Sequence, residues 1–240
     1  VLYNGSDDRT CRAVAEAAGE GRTLRSFGWE DTNDYYPAAI RHLGGLDRRF
    51  TLMHRGRPLT EIRLQVPGDH NILNATAAAA GAMLLGATPE QAAEGLAAFT
   101  GAGRRFEVLG KTHTGATVAD DYAHHPAELR ATLTAAKELD FKRVWAVFQP
   151  FTFSRTYLLL EDFVSALSIA DRVVLSPIMG SREVNTYHIR SEDLGEKIPG
   201  CVCLPSFEAM ADYVNAHAEA GDLILTLGCG DVYKCARMIL

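Results

Sequence analysis

Beyond residue 106 the chain alternates short apolar runs with amphipathic stretches of helical period. Strands are predicted at 117–121, 143–148, 172–175, 201–204 and 222–227, with helices at 126–139, 157–170, 191–197, 206–218 and 231–239. Apolar strands separated by helices imply a mainly parallel sheet covered on both faces, so residues 107–240 read as a doubly wound α/β domain. The first part is less regular. Strands are predicted at 1–4 and 22–29, a helix at 8–18, and two further strands at 50–54 and 60–66 around an Arg55-Gly56-Arg57-Pro58 hairpin turn. An Ala-rich helix at 71–85 follows, then a second one opened by Thr88-Pro89-Glu90-Gln91, with Thr as cap, Pro at the first position and Gln reaching back. That helix ends near Gly101–Gly103, a predicted boundary. Residues 1–106 show no self-contained sheet plan and read as the latter part of a domain that starts upstream.

Composition narrows the class without naming it. Of the 240 residues, 47% are hydrophobic and 22% charged, enough to bury a core without staples. The formal net charge of −6, with no Lys/Arg stripe among aromatics, gives no reason to expect nucleic acid. The longest apolar run, around 75–87, is short of the roughly 20 residues a membrane span needs, and no signal peptide is expected. A cytoplasmic protein without a membrane partner is expected. Five cysteines, none in a CxxC pair, suggest free thiols rather than disulfides or zinc ligands. Cys201 and Cys203 are expected to face opposite ways along their strand.

Candidate chemistry concentrates at strand-to-helix turns. Asp120-Asp121-Tyr122-Ala123-His124-His125-Pro126 crowds two carboxylates, a phenol and two imidazoles where a predicted strand hands over to a helix. Ligands of open α/β sheets bind at that edge, although Asp also ends strands and Pro also opens helices in ordinary turns. Phe148-Gln149-Pro150-Phe151-Thr152-Phe153-Ser154-Arg155 follows the next strand on the same edge, where Arg155 suits an anion and Ser154 suits a helix cap. Leu227-Gly228-Cys229-Gly230-Asp231 is a weak anion-cradling turn lacking the full GxGxxG, and Ser181-Arg182-Glu183-Val184-Asn185 is a further rim segment. In the first part, Asn71 and Asn74 share one helix face beside His70; they either offer carboxamides to a base edge or merely cap the helix. Arg104-Arg105 is either a phosphate-binding pair or a solvated one. No GxxxxGK[ST] occurs in the sequence, so no P-loop is expected.

Together these segments resemble the Mur ligases. The similar motifs are Gly68-Asp69-His70-Asn71-x-x-Asn74, Arg104-Arg105-Phe106, Asp120 through Pro126, Phe148-Gln149-Pro150 with Ser154-Arg155-Thr156, and Gly228-Cys229-Gly230-Asp231. They span essentially the whole chain. The Asp-Asp-Tyr-x-His-His-Pro and Phe-Gln-Pro pair points to the family member that joins L-alanine to UDP-N-acetylmuramate in peptidoglycan precursor synthesis. The resemblance implies that residues 1–106 are the latter part of an ATP-binding central domain and 107–240 a C-terminal Rossmann-like domain. A UDP-binding domain, the P-loop and an acidic magnesium site would lie upstream, and the chain alone is expected to be inactive.

The resemblance further implies ATP and Mg2+ as cofactors, and a carboxylate activated as an acyl phosphate before the amine attacks. Carried over position by position, His70, Asn71, Asn74, Arg105 and Asp121 would bind ATP, with Asp121 on the ribose. His124 and Arg155 would be catalytic, and Tyr122, His125 and Arg155 would face the substrates. Two positions depart from the family pattern: Phe151 stands where His is usual and Thr152 where Arg is frequent. The alternatives are a ligase adding a tripeptide to the same sugar nucleotide, and a nucleotide-binding module without catalysis.

Overall fold

The structure, a computed structural model, describes residues 1–17, 19, 21–43 and 46–240. It forms two compact units, Val1–Thr100 and Gly101–Leu240. Residues 101–106 group with the second unit because Arg104 and Phe106 hydrogen-bond to Asp120 and Asp121 of that unit's sheet.

The first unit contains β1 (Leu2–Asn4), α1 (Asp8–Ala17), β2 (Arg25–Phe27), β3 (Tyr35–His42), β4 (Arg48–His54), β5 (Arg57–Leu64), α2 (Asp69–Leu84) and α3 (Pro89–Ala97). Contrary to the expectation of no sheet plan, the strands form one five-stranded sheet in chain order, parallel from β1 to β3 and antiparallel from β3 to β5. The sequence pattern hid β3 because Pro37 lies inside it, and Pro normally speaks against a strand interior. The predicted hairpin is the β4–β5 turn. Residue 18, the predicted end of α1, lies outside the described residues. Phe50, Leu52, Ile62 and Leu64 alternate inward on β4 and β5 and bury against Ile72, Ala75 and Ala79 of α2 and Ala92 of α3. Each such Ile or Leu contributes about 1.5–3 kcal/mol.

Thr88 caps α3 as expected, accepting from the Gln91 amide at 3.2 Å while Gln91 Oε1 accepts from Thr88 N at 2.9 Å. Thr88→Ala is expected to cost about 1 kcal/mol in urea unfolding. An unchanged midpoint would show that the cap is not coupled to folding.

The second unit contains β6 (Glu107–Lys111), β7 (Thr117–Asp121), α4 (Pro126–Lys137), β8 (Val144–Phe148), α5 (Phe153–Leu158), α6 (Leu160–Leu167) and β9 (Arg172–Leu175). It continues with α7 (Ser191–Gly195), β10 (Val202–Cys203), α8 (Phe207–His217), β11 (Leu223–Leu227) and α9 (Tyr233–Ile239). The strand order is β10-β9-β8-β11-β7-β6, parallel except for β6, which runs antiparallel to β7. Val118, Trp145, Val147, Val174 and Ile224 pack under α8 and α9, whereas Phe148, of opposite parity, meets Phe163 of α6. Helices therefore cover both faces, which is the doubly wound architecture read from the sequence.

The last strand in the chain, β11, inserts between β8 and β7. The loops after β7, β8 and β11 thereby become neighbours at the sheet's carboxyl edge. At the opposite edge, Asp222 is fully buried and accepts from Arg143 Nη2 at 2.7 Å, Trp145 Nε1 at 3.1 Å and Glu219 N at 3.0 Å. That cluster fixes β11 against β8 far from the polar turns.

Three local expectations differ. The helix read at 157–170 is two helices that meet at Leu159 (φ −114°), and the last helix begins at Tyr233 rather than 231. Cys201 and Cys203 do not face apart: residues two apart on a strand share a face, and both sulfurs lie beside Gly195. Burial, with Cys203 alongside, pushes the Cys201 thiol up to about 12.

Candidate functional site

The turn from β7 into α4 is built on its two aspartates. Asp120 is buried; its Oδ2 accepts from Arg104 Nε at 2.7 Å and its Oδ1 from the Thr226 hydroxyl of β11 at 2.6 Å. Asp121 points to the other face, where Oδ2 accepts from Phe106 N and Oδ1 from Ala123 N, both at 2.8 Å. Burial pushes the Asp121 carboxyl above the ordinary Asp value, against the opposing pull of those two N–H groups, the Arg105 charge and Thr132. Both oxygens are thus engaged in holding the turn.

Arg104 ties the edge together. Beyond Asp120, it donates to the carbonyls of Gly228 at 2.5 Å and Gly230 at 3.3 Å, and its guanidinium lies 5.0 Å from the ring centres of Tyr122 and Tyr233. Both Arg104 (φ 58°) and Phe106 (φ 49°) adopt left-handed backbone, a conformation that surrounding contacts must sustain. Read from sequence, Arg104 and Arg105 are one pair, with only Arg105 assigned to the nucleotide; nothing in a pair of adjacent arginines says which one turns inward. Arg105 is exposed, 5.5 Å from the Tyr122 ring, with its guanidinium available to a ligand.

Tyr122 is half-exposed and meets the His124 ring edge-on at 5.4 Å. His124 Nδ1 lies 3.0 Å from the Tyr122 carbonyl and 3.2 Å from Glu128 Oε2. A proton on Nδ1 satisfies both acceptors and leaves the Nε2 lone pair without a partner among the described residues. Glu128 also accepts from the His124 and His125 amides; although its burial acts to raise it, these bonds and the Arg105 charge, joined by that of His124 when its ring is protonated, hold it below the usual Glu value. His125 is the N-cap of α4, accepting from Ala127 N at 3.3 Å through Nδ1.

The turn after β11 packs directly on the loop after β8. Gln149 Oε1 accepts from Asp231 N at 2.9 Å, and Gln149 N donates to the Leu227 carbonyl. A Cβ at Gly230 would collide with Gln149 Oε1 and Met179 Sδ, and Gly228 has φ 142°. These glycines are required by close approach and backbone shape, and Asp231 pairs with Lys234 instead of capping α9. Arg155 stands in the first turn of α5, its guanidinium 6.0 Å from the Phe151 ring centre. Its Nη1 is buried with no hydrogen-bond partner among the described residues. Such an orphaned donor costs stability. Phe151, the departure from the family pattern, supplies an aromatic surface under Arg155 and bridges to Met179.

In the first unit, α2 starts at Gly68 (φ 87°), not at a side-chain cap, and Asn71 Nδ2 donates to the Pro67 carbonyl at 2.7 Å. Asn74 Nδ2 donates to Asn71 Oδ1 at 3.3 Å, so the two carboxamides do sit together. They stand at the polar end of an apolar cavity of about 540 Å³ between α2, α3 and β5, walled by Leu64, Val66, Ala78, Leu96 and Phe99. His70 is exposed in the first turn of α2. Among the described residues, no group of three or more His, Cys, Asp or Glu could hold a metal ion, and no helix is long and apolar enough to cross a membrane.

The folds have counterparts among solved ligases. A UDP-N-acetylmuramate–alanine ligase of Thermotoga maritima superposes with a TM-score of 0.80 at 24% identity, covering 100% of this chain and 50% of that one. A murein peptide ligase of Psychrobacter arcticus gives 0.66 at 23% identity, covering 99% and 50%. Residues 104–230 match the family described as Mur ligase, glutamate ligase domain. The chain belongs to the Mur ligase family. Its sequence is 42% identical over 244 aligned positions to a UDP-N-acetylmuramate–L-alanine ligase of Agathobacter rectalis, covering 100% of this chain and 52% of that protein. The enzyme of the same description from Lachnospira eligens is 43% identical, with 90% and 48% covered. The chain spans about half the length of these relatives.

Proposed function

We propose that this chain forms part of a cytoplasmic, ATP-dependent ligase that joins L-alanine to UDP-N-acetylmuramate in peptidoglycan precursor synthesis. In this reading residues 1–106 are the latter part of the ATP-binding central domain and 107–240 the C-terminal domain. The observation that carries it is the 42% identity across the full chain with a relative of that description. The geometry supports it through Arg155, whose unpartnered N–H suits an anionic oxygen.

The chemistry would run in two steps. The sugar nucleotide's carboxylate attacks the γ-phosphorus of ATP, forming a C–O–P anhydride and releasing ADP. The alanine nitrogen then attacks the carbonyl carbon, expels phosphate and loses a proton. Arg155 would neutralise charge on the carboxylate or phosphoryl oxygens. His124, its Nδ1 side held by Glu128 and the Tyr122 carbonyl, offers Nε2 to the proton leaving the amine. Tyr122 and His125 would line the substrate side of the turn, and the exposed Arg105 would meet the nucleotide. Asn71 and Asn74 would read the adenine edge over the apolar cavity, with His70 beside them. Asp121, assigned by resemblance to the ribose, contributes chiefly by holding the turn that presents Tyr122 and His124. Mg2+ belongs to the reading, but no group of three or more His, Cys, Asp or Glu among the described residues could hold it.

Joined to the upstream half of a relative, the chain is expected to release phosphate only when ATP, UDP-N-acetylmuramate and L-alanine are all present. Alone it is expected to turn over no ATP. Phosphate release that ignores L-alanine would overturn the reading.

A further inference from the structure

The α5 segment is six residues long, too short to be stable as an isolated helix. Its N-cap residue Thr152 contributes no side-chain bond and sits at φ 66°, ψ 139°. The cap comes from the loop after β9 instead. Glu183 Oε2 accepts from Ser154 N at 2.9 Å and Oε1 from the Ser154 hydroxyl at 2.5 Å, across 29 residues of sequence. Two backbone bonds clip the same loops together: Thr152 N to the Met179 carbonyl and Met179 N to the Pro150 carbonyl, each 2.9 Å. Ser181, between Met179 and Glu183, has φ 55°. Arg155 follows Ser154 directly, so the first turn of α5 sets where its guanidinium points.

We propose that Glu183 is a positioning residue for Arg155, acting through Ser154. This rests on the ligase reading given above. The carboxylate supplies what a local Ser or Asp cap would normally supply, but from a loop on the neighbouring strand. It therefore couples the loop after β9 to the aim of the guanidinium. The Ser154 hydroxyl and amide, helped by the Arg155 charge, hold the Glu183 carboxyl below the usual Glu value, so the cap is ionised at neutral pH. An error of about 1 Å at a charge-stabilising group can cost about a hundredfold in rate.

In the full-length ligase containing this chain, Glu183→Ala is expected to lower kcat/KM for UDP-N-acetylmuramate about 10- to 100-fold, with the KM for ATP within about twofold. Glu183→Gln keeps a carbonyl oxygen for Ser154 and is expected to recover most of that loss. Combining Ser154→Ala with Glu183→Ala should cost little more than Glu183→Ala alone, because both act on one contact. In this chain by itself, the Arg155 side-chain nitrogen resonances should move in Glu183→Ala and stay near native in Glu183→Gln. Native kcat/KM in Glu183→Ala, or equal impairment in the Ala and Gln variants, would overturn the assignment. A native full-length protein without L-alanine-dependent turnover would instead overturn the ligase reading, and the Arg155 resonances would still decide the positioning role.

Discussion

Arg155→Met is expected to reduce L-alanine-dependent turnover of the full-length ligase by about 10²- to 10³-fold, while the chain's unfolding midpoint holds or rises. The two effects have one cause. Nη1 of Arg155 is buried without a partner among the described residues, a burden of about 1–3 kcal/mol that folding carries. Met keeps much of the apolar stem over Phe151 and removes the unsatisfied donor. In the proposed reaction the same guanidinium would meet developing negative charge, so removing it would trade function for stability. Thermal unfolding and phosphate release measured on the same preparation test both halves. A lower midpoint with intact turnover would mean that Arg155 is a structural residue.

Asp121→Ala is expected to destabilise the second unit by about 2–4 kcal/mol, lowering its melting midpoint by roughly 10 °C with no ligand present. Among the described residues the carboxylate is the acceptor for the buried amides of Phe106 and Ala123, and each would be left without one. Relief of the buried charge offsets part of that loss. Burial raises the Asp121 carboxyl above its unfolded value, so the folded chain holds that proton to higher pH than the unfolded chain does. Its titration therefore favours the fold fully below the ordinary Asp value, and this contribution is lost as pH rises through the raised folded value. Asp121→Asn should flatten the stability curve across that window. An Ala variant that melts normally and only binds nucleotide more weakly would favour the ribose role over the structural one.

Much of the fold was legible because the second unit obeys simple periodicities. Buried parallel strands read as apolar runs, and amphipathic helices separate them at regular intervals. The site was legible for a related reason. Strand ends of such sheets collect polar side chains, and Asp120 through Pro126 stands out as such a turn, although Asp120, Asp121, Ala123 and Pro126 are buried. Three features were misread. Pro37 masked β3, Leu159 broke a helix that propensity would have continued, and the shared face of Cys201 and Cys203 follows from strand geometry, contrary to expectation.

The sequence by itself determined which residue types meet at the carboxyl edge and which family the chain resembles, because composition at a turn survives without coordinates. Only the tertiary structure decided their division of labour. Of two adjacent arginines, Arg104 bonds inward to Asp120 and the Gly228 carbonyl while Arg105 stays exposed; of two adjacent aspartates, each serves a different face of the sheet. The cap on α5 comes from Glu183, 29 residues from the helix it stabilises. Such pairings are set by strand order, which places β11 between β8 and β7, and no local stretch of sequence carries that order.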